Sequence, residues 1–302
     1  MLSKTTLDTI RGYVPEENII LDASLSDYTT FKVGGKAVCI VEIETVAQLA
    51  NMSRYLNLVE YPYFILGNGS NTLALDEGYE GIILHLGKKF SGITVEGNII
   101  TAKAGTMLTK ISRVAMENGL AGLEFAAGIP GSVGGAVVMN AGAYGGEMSQ
   151  VVKLVRVVSP EGEIMELTPA FLEFGYRNSV LKHKKFIAAE VVFELQEGNK
   201  ETIKATMDEY NARRREKQPL EYPSAGSTFK RPEGYFAGKL IMDSGLRGFQ
   251  IGGARVADKH CGFVVNMGNA TAADILDVMA EVKERVFDRF SVSLEPEIVV
   301  LK

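Results

Sequence analysis

The chain has 302 residues, 46% hydrophobic and 23% charged, a balance that excludes a disordered or collagen-like polymer and allows about two or three domains. Its formal net charge of −5 provides no global basic field for nucleic acid or anionic lipid, so an anionic ligand must be held by local donors. Two cysteines, Cys39 and Cys261, are too few for a disulfide framework and fit a reducing cytoplasm, and three scattered histidines without metal-ligand spacing imply no metal site.

Charges interrupt residues 1–20, so no signal peptide is expected. Lys36–Ile43 reads as a strand. Thr45 and Gln48 form a capping box that opens a helix to about Leu58. Tyr63–Leu66 is a short apolar strand running straight into a Gly-Asn-Gly-Ser-Asn loop. Ile93–Val95 and Ile99–Ala102 flank Gly97 and Asn98, the residues of a two-residue hairpin. A helix is predicted from Thr106 to about Asn118, stopped by Gly119. Lys153–Val158 and Glu163–Leu167 make a second hairpin around Pro160 and Gly162, Pro169 starts a helix, and Phe186–Leu195 is a strand.

Residues 196–200 are a polar turn and the predicted domain boundary. Beyond it a helix runs from Lys200 to Lys217 with Arg213, Arg214 and Arg215 near its end. Pro219 and Pro223 then enforce an extended loop. Asn269 or Thr271 caps a last helix to about Phe290, and Glu297–Leu301 closes the chain as a strand. Frequent hairpins favour an α+β architecture over one doubly wound parallel sheet.

Two glycine clusters carry the strongest functional signal. In the first, Gly67, Asn68, Gly69, Ser70 and Asn71 follow directly on a strand, where glycine lets successive N–H groups point at one anion and Ser70 and Asn71 add side-chain donors. It is neither a P-loop nor a Rossmann fingerprint, since no Gly-Lys-Ser/Thr follows and Thr72 stands at the third glycine position. The plain alternative is a tight surface turn. The second cluster contains Gly131, Ser132, Gly134 and Gly135, then Asn140 and Gly142. It offers a second line of approach to a dinucleotide, with Ser132 and Asn140 as polar handles, or else a small-residue packing seam. Phe125–Gly146 carries no charge and is long enough to span a bilayer, yet its glycine density makes a poor helix of any kind, so loop backbone kept bare for a ligand is expected and membrane insertion is not. Two anion-shaped loops point to an elongated diphosphate cofactor.

These segments also carry a family resemblance. Thr30–Gly35, Ile65–Asn71 and Gly122–Glu147, followed by Gly175–Ser179, Ser224–Pro232, Lys259–Asn266 and Leu294–Val299, resemble the UDP-N-acetylenolpyruvoylglucosamine reductases in order over nearly the whole chain. The resemblance implies a two-lobed FAD-binding region of the vanillyl-alcohol-oxidase type over residues 1–196, with lobes near 1–86 and 87–196. A C-terminal α+β substrate-binding domain over 197–302 would follow. It implies reduction of UDP-N-acetylglucosamine enolpyruvate to UDP-N-acetylmuramate with NADPH as reductant, for peptidoglycan. No histidine lies in either glycine loop, so the FAD is expected to be non-covalent. An FAD oxidase of another substrate and a flavin-binding sensor without turnover are the competing readings.

Hydride addition to the terminal carbon of an enol ether leaves charge α to its carboxylate, so the reaction needs a stabiliser of that charge and a proton donor. Arg177 is a candidate stabiliser through bidentate contact with a carboxylate, though most loop arginines are only solvated. Ser227 is a weak acid that neighbours must polarise, and on sequence alone it reads as a turn residue before it reads as an acid. Glu297 is a strand-end glutamate, which usually faces solvent, but beside Ile298, Val299 and Val300 a carboxyl can be turned inward with a raised pKa. The resemblance assigns Ser227 as proton donor, with Arg177 and Glu297 stabilising the intermediate. It matches Lys217 and Lys230 to basic substrate-binding positions, and Arg213 is a further candidate there. Arg231 stands where longer relatives tend to have asparagine. The short stretch between Arg177 and Ser227 resembles the compact form that lacks an extra tyrosine loop, and the basic helix end near Arg213 is the expected replacement lid. His260 and Cys261 are not expected to form a nucleophile pair, because adjacent residues of a strand point to opposite faces.

Overall fold

The computed structural model describes residues 2–302. The chain packs as two units: residues 2–21, 38–68 and 81–212 in the first, and residues 22–37, 69–80 and 213–302 in the second. Two segments that precede the expected boundary at 196/197 thus pack with the C-terminal residues. Helices and strands mix in both units, as an α+β chain requires.

One sheet, most of whose residues belong to the first unit, runs in the order Ile19–Ser24, Lys36–Glu42, Tyr79–His85, Tyr63–Leu66. Tyr63–Leu66 lies parallel to Tyr79–His85, with Leu66 opposite His85. The helix Val46–Leu58 begins at the Thr45–Gln48 capping box and buries Leu49, Met52 and Leu56 in a core with Cys39, Val41, Ile82, Leu84 and Phe90. A second sheet has five antiparallel strands in the order Ile164–Leu167, Val152–Val158, Ile187–Glu194, Ile99–Lys103, Ile93–Glu96. Against it pack the helices Leu108–Glu117 and Val133–Val138, around Ile111, Phe125, Val137, Val155 and Phe193. Gly97 takes φ +60° in the Ile93–Lys103 hairpin and Gly119 takes φ +69° after Leu108–Glu117, conformations that cost glycine least.

The second unit holds an antiparallel sheet, Gln250–Ile251, Ala254–Val256 and Val264–Asn266, covered by the helices Ala237–Asp243 and Ala272–Phe290. Thr72–Ala74 pairs in parallel with Val299–Leu301. Phe31, Val33 and Leu73 join Ile241, Val264, Ile275, Val278 and Val282 in one core. Full burial of a side chain such as Phe31 is worth ~1.5–3 kcal/mol and fastens residues 22–37 to this unit. Asp76 adds a polar fastening: its carboxylate accepts the Ala272 and Ala273 N–H groups, at 2.8 and 2.9 Å, in the first turn of the last helix.

Several expectations are corrected. Val133–Val138 is a helix, not bare loop, because Ser132 caps it and its glycines let it pack closely. The helix expected from Thr106 starts at Leu108, since the Thr106 hydroxyl both accepts from the Gly92 N–H and donates to the Gly92 carbonyl, each at 3.1 Å. Gln196 and Glu197 in the polar turn pair with Ala121 and Leu120 as a short ladder. The final strand is Val299–Leu301, not Glu297–Leu301, because the Glu297 N–H donates to the Thr228 carbonyl instead. Lys4–Arg11 and Ala237–Asp243 are helices that periodicity did not single out. His260 and Cys261 lie in a turn ahead of Val264–Asn266, not on a strand, although Cys261 is buried as a small apolar residue. Among the described residues no helix is long and apolar enough to cross a membrane, and no cluster of metal-ligating side chains is present.

Candidate functional site

The strand Tyr63–Leu66 delivers the first glycine loop, with the Leu66 carbonyl fixed by the Leu86 N–H at 2.8 Å. Within the first unit this loop meets the second cluster. A Cβ on Gly67 would stand 2.3 Å from Ser132 Oγ, and Asn68 Nδ2 donates to the Pro130 carbonyl at 2.5 Å. Gly69, where the chain enters the second unit, has φ +61°, and a Cβ there would lie 2.1 Å from the Tyr28 carbonyl. Asn71 Nδ2 donates to the Glu297 carbonyl at 3.2 Å, while the Asn71 carbonyl accepts the Val299 N–H at 2.9 Å. The backbone N–H groups from Gly67 to Asn71 donate to no protein acceptor, and the half-exposed Ser70 hydroxyl has no protein partner. A run of unspent donors on glycine-rich backbone suits a diphosphate.

The second cluster divides between packing positions and exposed backbone. Gly134 is a packing position: its N–H donates to the Ala104 carbonyl at 2.8 Å and a Cβ would meet that of Ala104 at 2.7 Å. Ser132 is buried, caps the helix through the Gly135 N–H at 3.4 Å, and closes against Gly67. Gly131 accepts the Leu108 N–H at 3.0 Å, and Gly135 is exposed at the start of the helix. Asn140 is buried and its amide is engaged by protein, Nδ2 donating to the Gly175 carbonyl at 3.1 Å and Oδ1 accepting the Ser149 N–H at 2.9 Å. It therefore braces the loop that carries Arg177.

Arg177 occupies the turn between Gly175 and Asn178 with φ +54°, an uncommon conformation for a non-glycine residue. Its Nη2 donates to the Gly142 carbonyl at 3.3 Å, and its guanidinium lies 5.2 Å from the Tyr176 ring centre. The second glycine cluster thus reaches Arg177 through both Asn140 and Gly142, all within the first unit.

In the second unit the structure brings Ser227 and Glu297 onto neighbouring backbone. The Thr228 N–H donates to the Gly262 carbonyl and the Glu297 N–H to the Thr228 carbonyl, each at 2.8 Å, and Phe229 bridges Pro296. Thr228 Oγ1 accepts the Val264 N–H at 2.9 Å. Ser227 is half-buried and its hydroxyl has no protein partner, leaving it available to a ligand. Lys230 pairs with Glu295 at 2.9 Å, holding that carboxyl below the usual carboxylate range. Lys217 ends its helix exposed and without a protein partner, and Arg213 is exposed one turn earlier. Arg231 lies 3.9 Å from the Phe236 ring centre and donates to the Tyr235 carbonyl at 3.2 Å. Sequence reasoning did not single out Thr228, which makes these bonds and whose signal was the run of matched residues around it and not its chemistry.

Residues 218–301 match the family model described as the C-terminal domain of UDP-N-acetylenolpyruvoylglucosamine reductase, and residues 37–168 match an FAD binding domain. A UDP-N-acetylenolpyruvoylglucosamine reductase of Clostridium perfringens is 50% identical over 286 residues, covering 95% of this chain and 94% of that one. One from Clostridioides difficile is 46% identical at the same coverage. The crystal structure of the corresponding Thermus caldophilus enzyme superposes with TM-score 0.81 at 38% identity, covering 94% of this chain and 98% of that one. Phl p 4.0202, a glucose dehydrogenase, matches 64% of this chain and 44% of its own at 13% identity and TM-score 0.51, a likeness of fold alone.

Proposed function

Since the chain belongs to the UDP-N-acetylenolpyruvoylglucosamine reductase family, we propose that it reduces UDP-N-acetylglucosamine enolpyruvate to UDP-N-acetylmuramate for the cell wall, using NADPH and FAD. Residues 1–196 hold FAD in this reading and 197–302 hold the nucleotide sugar. The unspent N–H groups of Gly67–Asn71 and the close approach of Gly67 to Ser132 fit a dinucleotide's diphosphate, with Ser70 as an added donor. FAD, when bound, supplies a carrier for the hydride that passes from NADPH to the enolpyruvyl carbon.

The remaining chemistry falls to side chains of this chain. Arg177, held by Gly142 and braced by Asn140, offers its guanidinium to the substrate carboxylate, where charge builds as the alkene is reduced. Ser227 donates its Oγ proton to the carbon beside that carboxylate and recovers one from solvent. Glu297 shares with Arg177 the stabilisation of the intermediate. Lys217 and Arg213 supply positive charge for the diphosphate of the nucleotide, and Lys230 joins them by exchanging Glu295 for phosphate. A cytoplasmic site of action fits the two unpaired, buried thiols.

The observation that carries this reading beyond a flavin sensor is the backbone clamp that ties the Ser227 segment to Glu297, because flavin binding alone needs neither residue. The test is Ser227→Ala followed through its two half-reactions by stopped flow. Bleaching of the flavin by NADPH should be nearly unchanged, while reoxidation by the enolpyruvyl nucleotide should slow ~10²–10⁴-fold, the usual worth of a positioned general acid. Equal slowing of both halves would make Ser227 structural.

A further inference from the structure

We propose that His260 is a positioning residue for the proton donor: its neutral imidazole holds the turn through Gly262, and that turn holds the Ser227 segment in place. The proposal rests on the assignment of Ser227 as donor. The Gly262 N–H donates to His260 Nδ1 at 3.1 Å, and the Gly262 carbonyl accepts the Thr228 N–H at 2.8 Å. A single peptide segment therefore connects the imidazole to the residue that follows Ser227. Two further bonds complete the clamp, from the Val264 N–H to Thr228 Oγ1 at 2.9 Å and from the Glu297 N–H to the Thr228 carbonyl at 2.8 Å. Of the two side chains whose atoms bond within this clamp, those of His260 and Thr228, only the imidazole is titratable.

The ring is fitted closely into its place. Phe263 meets it edge-on, with ring centres 5.0 Å apart and planes at 72°, and the His260 carbonyl accepts the Phe263 N–H at 3.0 Å. A Cβ on Gly238 would lie 3.3 Å from His260 Cε1, and one on Gly262 would lie 2.9 Å from it, so glycine at both positions leaves room for the imidazole. Accepting the Gly262 N–H requires Nδ1 to be unprotonated, which puts the proton of the neutral ring on Nε2. Protonation turns Nδ1 into a donor facing another donor, and the bond is lost.

The charged groups on the surrounding segments are engaged with one another. Asp258 pairs with Arg255 at 2.6 Å, Lys259 with Glu221 at 3.6 Å, Lys239 with Asp243 at 2.6 Å, and Lys230 with Glu295 at 2.9 Å. Arg247 donates to the Asp258 carbonyl at 2.5 Å, and the Cys261 thiol is pushed up, chiefly by burial. None of these charges contributes to the shift of His260, which burial lowers below 6.5 against a smaller opposing effect of its own backbone. The ring is therefore neutral at and above neutral pH, and the clamp weakens as pH falls through a value below 6.5.

The experiment compares holoenzymes of the native protein, His260→Ala and His260→Asn, whose Oδ1 is an acceptor that does not titrate. Flavin reoxidation by the enolpyruvyl nucleotide is followed from about pH 5 to 8, with NADPH bleaching and thermal unfolding as controls. The native rate should fall in acid. His260→Ala should slow reoxidation about 10- to 100-fold at neutral pH, the cost of a lost bond and a displaced donor. His260→Asn should recover most of that loss and shift the acid limb by removing the part that follows the imidazole. Bleaching should change less than about twofold in both, because it requires no proton from Ser227. In histidine-labelled protein, the His260 ring signal, identified among three histidines by its loss in His260→Asn, should titrate with the midpoint of the acid limb. An unchanged acid limb in His260→Asn, or native reoxidation in His260→Ala, overturns the proposal while the role of Ser227 stands. If Ser227→Ala leaves reoxidation untouched, the donor assignment fails and this proposal falls with it.

Discussion

Replacing Gly67 by alanine tests whether the two glycine loops form one cradle. The new Cβ would stand 2.3 Å from Ser132 Oγ and 3.3 Å from Ser132 Cβ, about 1 Å inside normal contact for the oxygen. Ser132 is buried and its hydroxyl caps Val133–Val138, so moving the hydroxyl sacrifices a cap worth ~0.5–2 kcal/mol. The overpacking that remains costs ~1–3 kcal/mol. Taking ~2–3 kcal/mol for the sum, Gly67→Ala should weaken FAD binding by about 30- to 150-fold. Ser132→Ala alone should lose about 1 kcal/mol through its cap. The double variant should bind more tightly than Gly67→Ala alone, because the atom in the way is gone. Quenching of FAD fluorescence on titration with the four apoproteins gives the cycle, and neighbouring residues of this kind couple by ~0.5–3 kcal/mol. Additive losses in the double variant would mean that Gly67 and Ser132 do not share the cofactor's binding surface.

Further outcomes follow from other parts of the molecule. Asp76→Ala removes two charge-assisted bonds at a helix N-terminus, ~1.5–3 kcal/mol together, and should lower the midpoint of thermal unfolding by about 3–8 °C, whereas an unchanged midpoint would show these bonds carry no net stability. Burial pushes the Cys39 thiol up to about 12 and raises that of Cys261, so neither should react with a disulfide reagent in the native protein at mildly alkaline pH, and both should react after unfolding; fast native labelling would contradict the packing. With no Rossmann fingerprint in the chain, NADPH and the UDP-sugar should use one diphosphate site in turn and give parallel initial-rate lines, with excess UDP-substrate inhibiting NADPH oxidation; intersecting lines without that inhibition would refute it.

What was legible in the sequence has its cause within a few residues. Thr45 and Gln48 satisfy each other's helix end, Gly97 supplies a turn conformation, and Thr271 with Asp274 opens the last helix, so each element is announced by its own neighbours. What was missed depends on distant partners. Val133–Val138 is rich in poor helix formers and forms because Ser132 caps it and Gly134 lets it approach Ala104. Asn140 reads as a polar handle, and nothing local shows that its amide also ties Gly175 to Ser149. Residues 22–37 and 69–80 give no local sign that they pack with the C-terminal unit, since Phe31 and Leu73 find their partners far along the chain. The glycine loops stand out by composition, and Ser227, Arg177 and Glu297 are candidates through the resemblance alone. The clamp around Thr228, by contrast, needs three separate segments and has no sequence signature of its own.

The central claim is tested most directly without oxygen. The holoenzyme is bleached with one equivalent of NADPH under anaerobic conditions, and UDP-N-acetylglucosamine enolpyruvate is then added. Return of the flavin absorbance with formation of one equivalent of UDP-N-acetylmuramate is the predicted result. Flavin that stays bleached until air is admitted would contradict the assignment and favour an oxidase or a sensor.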